Sequence, residues 1–550
     1  MHKLQGGNSE PYRGRVLVIG LDGVTFDLIE PWAQAGHLPN LARLMAEGAW
    51  GRMQSTIPAH SAPAWTTFAT GLLPGRHGLY FFLGPSRDSK YFRPVSAESI
   101  RGRTLWDLSS EQGRRVGMLN VPMTYPPRPV NGFMIAGMLS PDPRHAFWPS
   151  ELYEEVTDHC GDYIVEVSTN QDRRAYLEEV LAAMEYRCRV AEYLMDHHPT
   201  DFFMVVFRMI DSVMHHYWAD MDPHHPLHSS LGNSAIPDAI LSGYRTLDSA
   251  VGRLMAKAGS DTTVFIMSDH GFRAEYRGFA VNKWLRERGW LALRPGRASL
   301  MAGVSSAVRR LGILRAAKRA FRLVTGTKWF QPMVWASVDW SRTQVVYGPG
   351  PALYINLQGR DFEGVVPPSE YDTLRDSLID GLKAVRDPET GRAVVAEVYR
   401  REAIYQGEAL DLAPDLVPVP AEYWIDGRRW GFGFEPFPAA PTLFRHASRF
   451  AGVHASDGIF MAYGPHVRAG QLFSLHIADM APTALYAMGL AVPRAMDGQV
   501  RTEVFDLAHV EAHPVQYVDQ DITADRRAAY VMSKEDEALI QSRLKGLGYL

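Results

Sequence analysis

Seven side chains, spread over five stretches of the sequence, are of the types that bind divalent metals or attack phosphorus: Asp22, Ser61, Asp211, His215, Asp269, His270 and His454. Ser61 lies in Thr56–Tyr80 (TIPAHSAPAWTTFATGLLPGRHGLY), where it takes the N-cap position of a short helix, with Pro63 in the first turn and Gly71 placed to end it. A helix start presents unpaired N–H groups and the positive end of the dipole, so a phosphate or sulfate attacked by the Ser61 hydroxyl would meet an anion site. Free serine is almost never ionised at neutral pH and needs help to act as a nucleophile. One metal held by Asp22, Asp269 and His270 would lower the Ser61 pKa. A second, held by Asp211, His215 and His454, would stabilise the leaving oxygen and then supply the hydroxide that cleaves the phosphoserine. Mixed imidazole and carboxylate ligands favour zinc, with manganese as the alternative.

These residues need a scaffold that brings them together, and the sequence supplies one. Arg15–Leu21 (RVLVIGL) reads as a buried parallel strand ending at Asp22-Gly23. Leu38-Pro-Asn-Leu-Ala-Arg-Leu-Met follows as a helix start. Asp201–Met209 (DFFMVVFRM) leads into Asp211 and His215, Thr262–Met267 (TTVFIM) into Asp269 and His270, and Gly458–Tyr463 (GIFMAY) follows His454. In open parallel sheets ligands bind beyond the carboxyl ends of the strands, so these distant residues are expected to converge. A lone Ser-x-Pro is ordinarily a helix cap, and a lone Asp-His pair an ordinary hydrogen-bonded pair. Their order on successive strand ends carries the inference.

The composition is that of a globular protein: 550 residues, 46% hydrophobic, 21% charged, net charge -4. That balance gives no argument for nucleic acid, and no nucleic-acid-binding motif occurs. Cys160 and Cys188 cannot build a disulfide framework or a zinc knuckle and read as free thiols. The N-terminal stretch lacks a signal-like apolar core and no run of about 18 apolar residues occurs, so a cytoplasmic protein is expected.

The expected catalytic region is 12–505, with probable cap insertions at 80–200 and 272–450 and a C-terminal extension, 506–550, ending in a helix. Arg294–Lys328 carries nine Arg and Lys residues and no acid, with apolar Met301, Val304, Val308, Leu311 and Leu314 at helical spacing. It reads as a basic amphipathic helix or helix pair, packed on the cap or making peripheral contact with an anionic membrane or polyanion. Tyr423, Trp424, Arg428, Arg429, Trp430, Phe432 and Phe434 either line a substrate pocket or close a small core.

The order Leu21-Asp22-Gly23, Leu38-Pro39-Asn40-Leu41, Ser61, Thr70-Gly71, Pro74, His77-Gly78, Asp211-x-x-x-His215, Ser268-Asp269-His270-Gly271 and Gly452-x-His454 resembles the alkaline phosphatase superfamily. The type I phosphodiesterase/nucleotide pyrophosphatase branch is the nearest match. Pro63-Ala-Trp-Thr, Asn120-Val-Pro-Met-Thr-Tyr-Pro-Pro and Met496-Asp-Gly also resemble its bacterial predicted phosphohydrolase/phosphomutase group. The resemblance implies an α/β fold, an alkaline-phosphatase-like three-layer sandwich with a mostly parallel central sheet and inserted caps. It also implies the two-metal assignment, with Ser61 where nucleotide pyrophosphatases carry threonine. Where they carry a phosphate-holding asparagine after His-Gly, this chain has Phe82, so Asn282 and Lys283 are the candidates for substrate binding. Trp65 stands where sulfatases need arginine, which argues against a sulfatase.

The expected activity is hydrolysis of a small-molecule phosphodiester through a phosphoserine on Ser61. The alternatives are a phosphomonoesterase or a phosphomutase of the same superfamily, since Arg76 and Arg208 remain unassigned. From a different class comes a non-catalytic protein that binds membranes or polyanions through Arg294–Lys328.

Overall fold

The computed structural model of the chain describes residues 12–85, 92–167, 172–294, 337–446, 451–523 and 532–546. A ten-stranded sheet runs through it. From one edge the order is Gly470–Gln471, Ala49–Gln54, Asp457–Tyr463, Thr262–Met267, Arg15–Leu21, Phe202–Phe207, Val116–Val121, Gly132–Ala136 and Phe147–Trp148, with Leu475–His476 also paired to Ala49–Gln54. Arg15–Leu21 is parallel to both neighbours, while Asp457–Tyr463 runs antiparallel to both of its own.

The central strands are apolar without a break because both faces are covered. Leu17, Ile19 and Leu21 enter one core cluster, and Val16 and Val18 enter the cluster on the opposite face. Phe203, Val205 and Phe207 part from Phe202, Met204 and Val206 in the same way. This two-residue alternation makes three layers. Helices Arg173–His197, Met209–Met221 and Ala239–Ala258 contribute to the first cluster, and helices Ser61–Thr70 and Met480–Ala487 to the second.

The stretch 80–200 is not simply a cap: three of its strands, Val116–Val121, Gly132–Ala136 and Phe147–Trp148, extend the central sheet. Val116–Val121 is buried throughout, and pairing with Phe202–Phe207 satisfies its backbone. Within 272–450 the chain builds other sheets. Leu353–Ile355 and Leu416–Pro420 lie between Val345–Tyr347 and Val395–Arg400. A five-stranded sheet joins Gly271–Ala280 to Arg428–Glu435, Phe444–His446 and Gly452–Ala455, with Glu422–Ile425 at its edge.

The aromatic and basic hairpin turns at Asp426 and Gly427, both at positive φ, and closes a small core: Trp430 stacks on Tyr276 with centroids 5.0 Å apart. Trp424 stays 58% exposed. Of the basic Arg294–Lys328 segment, all but Arg294 lies outside the described residues. The helix Lys534–Gly546 buries Ile540 and Leu544 in the apolar cluster that contains Phe81 and Phe82. Among the described residues no helix is long and apolar enough to cross a membrane.

Candidate active site

Three carboxylates reach one place because their strands are neighbours. Asp22 follows Arg15–Leu21, Asp269 follows Thr262–Met267 on one side, and Asp211 lies just past Phe202–Phe207 on the other. The turns are tied together, since Asp22 N–H donates to the Phe207 carbonyl at 3.3 Å and Gly23 N–H to Asp269 Oδ1 at 3.1 Å. Gly23 makes the turn at φ 72°, where an added Cβ would sit 3.0 Å from the Phe272 ring and 3.1 Å from Met214 Cε.

The helix that carries the hydroxyl spans Ser61–Thr70 and ends at Gly71 in the left-handed region, φ 67°. Its N-cap is His60, not Ser61: His60 keeps an extended backbone and Ser61 is the first helical residue. One turn on, Trp65 seats the helix. Its ring covers Gly20, where a Cβ would stand 2.6 Å from the indole, and its N–H donates to Asp22 Oδ2 at 3.2 Å.

Ser61 Oγ lies 3.2 Å from His270 Nε2. That same nitrogen is 3.2 Å from Asp269 Oδ2 and 3.7 Å from Asp22 Oδ1. Asp22, Asp269 and His270 therefore form one trio. Asp211 and His215, one turn apart on helix Met209–Met221, meet His454 from strand Gly452–Ala455 in another. His215 Nε2 and His454 Nε2 lie 3.4 and 3.3 Å from Asp211 Oδ1. Within each trio the ligand atoms lie within 4.8 Å of one another.

The imidazoles are oriented from behind. His215 Nδ1 is 2.8 Å from the Gly452 carbonyl, His454 Nδ1 3.2 Å from that of Ala59, and His270 Nδ1 3.1 Å from that of Gly271. Each carbonyl accepts the Nδ1 proton and leaves Nε2 as a lone-pair donor inward, as metal-ligating histidines require.

Electrostatics point the same way. Burial and the nearby Asp269 and Asp211 carboxylates push Asp22 well above the usual carboxylate range. Burial, reinforced by Asp211, pushes Asp269 up to about 7. Burial opposes ionisation of Asp211 too, but His215 and His454 outweigh it and hold that carboxyl well below its usual range. Burial also lowers His270 and His454. Asp22 Oδ1 and Asp269 Oδ2 are buried yet accept no hydrogen bond. Buried carboxylate oxygens without donors are costly unless a cation satisfies them, and the donor set fits two divalent ions.

Asn282 and Lys283, the candidates for substrate binding, are both engaged by protein groups. Asn282 is buried, donates to the carbonyls of Tyr347 and Pro436 at 2.8 and 3.0 Å, and accepts from Tyr347 N–H at 2.8 Å. Lys283 pairs with Glu287 one turn along its own helix. His216 has its Nδ1 2.8 Å from the Ser212 carbonyl and its ring against Tyr176, outside the trio. Sequence reasoning missed His60, which stands directly before Ser61, and gave two other contributors no place: Trp65 entered only through its motif and as the residue standing where sulfatases carry arginine, and Arg208, left unassigned, is clamped by Glu166 at 2.7 and 2.5 Å with Asp211 3.8 Å away.

A buried serine hydroxyl beside two carboxylate and imidazole trios at the carboxyl ends of a mostly parallel sheet is the arrangement of a metal-dependent phosphoric ester hydrolase. The chain belongs to the type I phosphodiesterase/nucleotide pyrophosphatase family, whose model matches residues 16–431. No curated protein matches it. Among solved structures it is similar to phosphonoacetate hydrolase from Sinorhizobium meliloti 1021 in complex with phosphonoformate, with 15% identity, a TM-score of 0.50, and coverage of 87% of this chain and 95% of that one. It is also similar to human ectonucleotide pyrophosphatase/phosphodiesterase 5, with 13% identity, a TM-score of 0.47, and coverage of 91% and 99%. The first likeness supports the alkaline-phosphatase-like fold.

Proposed function

We propose that this protein hydrolyses a phosphodiester through a covalent ester on Ser61, with zinc as the divalent metal of both trios. The observation that carries this reading is the 3.2 Å approach of Ser61 Oγ to His270 Nε2, which puts the hydroxyl on the first trio. Bound at the two trios, divalent ions supply positive charge to ionise the Ser61 hydroxyl and to stabilise the departing oxygen. Deprotonated Ser61 Oγ forms a bond to phosphorus as the bond to the leaving alcohol breaks, and that oxygen keeps the electron pair. Water then cleaves the Ser61 ester and restores the hydroxyl.

The choice of diester over monoester follows the arginines. Arg76 is engaged by Asp497 at 2.8 Å and by the Ala495 carbonyl, and Arg208 by Glu166. Both are committed to protein groups, whereas a doubly charged monoester calls for additional cationic contacts.

The test compares bis-p-nitrophenyl phosphate with p-nitrophenyl phosphate on zinc-loaded protein, with Ser61→Ala as control. A faster diester rate that collapses in the variant is expected. A faster monoester rate would overturn the choice of diester.

A further inference from the structure

His60 is the buried titratable side chain beside the nucleophile that neither trio uses. It is only 6% exposed, it makes no side-chain hydrogen bond to cap the helix it precedes, and its ring turns toward the metal groups instead. The ring centroid lies 5.3 Å from that of His454, 4.3 Å from Phe81 and 5.3 Å from Phe82. Two phenyl rings and an imidazole thus fix its orientation.

Neighbouring residues face different halves of the site. Ser61 approaches His270 of the first trio, while His60, extended where Ser61 is helical, packs against His454 of the second. In an in-line displacement the leaving oxygen departs from the side of phosphorus opposite the attacking oxygen. With the leaving oxygen stabilised at the second trio, as in the reading above, that side is the one toward His454, against whose ring His60 packs. An imidazole carries at least one N–H in each of its ordinary states, so a histidine at this position is of a type that can donate without any change of charge.

We propose that His60 is a substrate-contacting residue that donates a hydrogen bond to the leaving oxygen of the diester as the P–O bond breaks. The proposal rests on the Ser61 reading above. A fixed donor aimed at developing charge contributes more in the transition state than in the ground state, and contributes more as the leaving group becomes more basic.

The experiment uses two diesters with one phosphoryl group, methyl 4-nitrophenyl phosphate and methyl phenyl phosphate, on zinc-loaded full-length protein. For each variant the readout is the ratio of kcat/KM for the phenyl ester to that for the nitrophenyl ester. This ratio is independent of the fraction of active or metal-loaded protein, so partial misfolding does not affect it. His60→Leu is expected to lower the ratio by about tenfold or more, on the scale of a lost oxyanion donor, while His60→Gln, which retains an N–H, restores most of it. Metal content, measured in parallel, is expected to stay at two per chain.

An equal fall for both esters in His60→Leu, leaving the ratio unchanged, would overturn the proposal. So would a His60→Gln ratio as low as that of His60→Leu. Failure of the underlying reading looks different: Ser61→Ala would then keep the wild-type rate on both esters.

Discussion

The imidazole rings of His270 and His454 lie face to face, their centroids 3.6 Å apart and their planes within 20°. One ring belongs to each trio, so this contact joins the two trios directly. It also brings together two sheets, because His270 follows a strand of the central sheet while His454 lies on Gly452–Ala455, which pairs with Gly271–Ala280 in the five-stranded sheet.

The metal-free site is electrostatically strained, and this sets the first prediction. Asp22 and Asp269 repel each other across a buried space with no donor for Asp22 Oδ1 or Asp269 Oδ2. Asp22→Asn is expected to raise the Tm of chelator-treated protein and to lower that of zinc-saturated protein. Ligand at a thousand times its Kd contributes about 4 kcal/mol, and the variant forfeits this at one site. Calorimetry with and without zinc checks both signs; a lower Tm in both states would contradict the account.

Trp65 supports the first trio, through its N–H bond to Asp22. Trp65→Phe keeps the ring over Gly20 and removes the N–H. Loss of such a supporting hydrogen bond typically weakens metal binding about 10–100-fold. Chelator competition is therefore expected to show one weakened and one unchanged zinc, rather than two weakened together.

Much of this was legible in the sequence, for physical reasons. Strands buried on both faces read as unbroken apolar runs, so Arg15–Leu21 and Thr262–Met267 agree with the structure to the residue. The carboxylates that follow must then emerge together. Asn282 was not legible, because its partners at Tyr347 and Pro436 are brought in by folds of the chain 65 and 154 residues away. The start of the Ser61 helix was misplaced by one residue because Ser is a favoured N-cap type, whereas His60 holds the position through its extended backbone without a side-chain cap hydrogen bond. Likewise the strands inside 80–200 look the same in sequence whether they join the main sheet or a cap.

Two groups away from the metals give stability opposite pH slopes. His77 is buried, with its Nε2 2.9 Å from Thr67 Oγ1 and its Nδ1 accepting from Leu79 N–H, and burial lowers its pKa to about 3. A depressed histidine contributes stability that is present above its unfolded pKa of about 6.5 and is lost as pH falls toward 3. Glu275 is the reverse. Burial, with Glu435 nearby, raises it to about 8, so its contribution is present below its unfolded pKa and lost as pH rises from the usual carboxylate range toward 8. Urea midpoints across pH are expected to show a shallower fall as pH drops below about 6.5 in His77→Gln and a shallower fall as pH rises from the usual carboxylate range to about 8 in Glu275→Gln. Unchanged slopes in both would contradict these assignments.

The measurement that tests the central claim most directly is an acid quench of zinc-loaded protein during turnover of methyl 4-nitrophenyl phosphate, followed by peptide mass mapping. The account predicts a methylphosphoryl group on Ser61, formed with a burst of nitrophenolate matching the enzyme concentration when hydrolysis of that ester is the slower step. Turnover abolished in Ser61→Ala would accompany it. An adduct on a different residue, or full turnover by Ser61→Ala, would contradict the claim that Ser61 is the nucleophile.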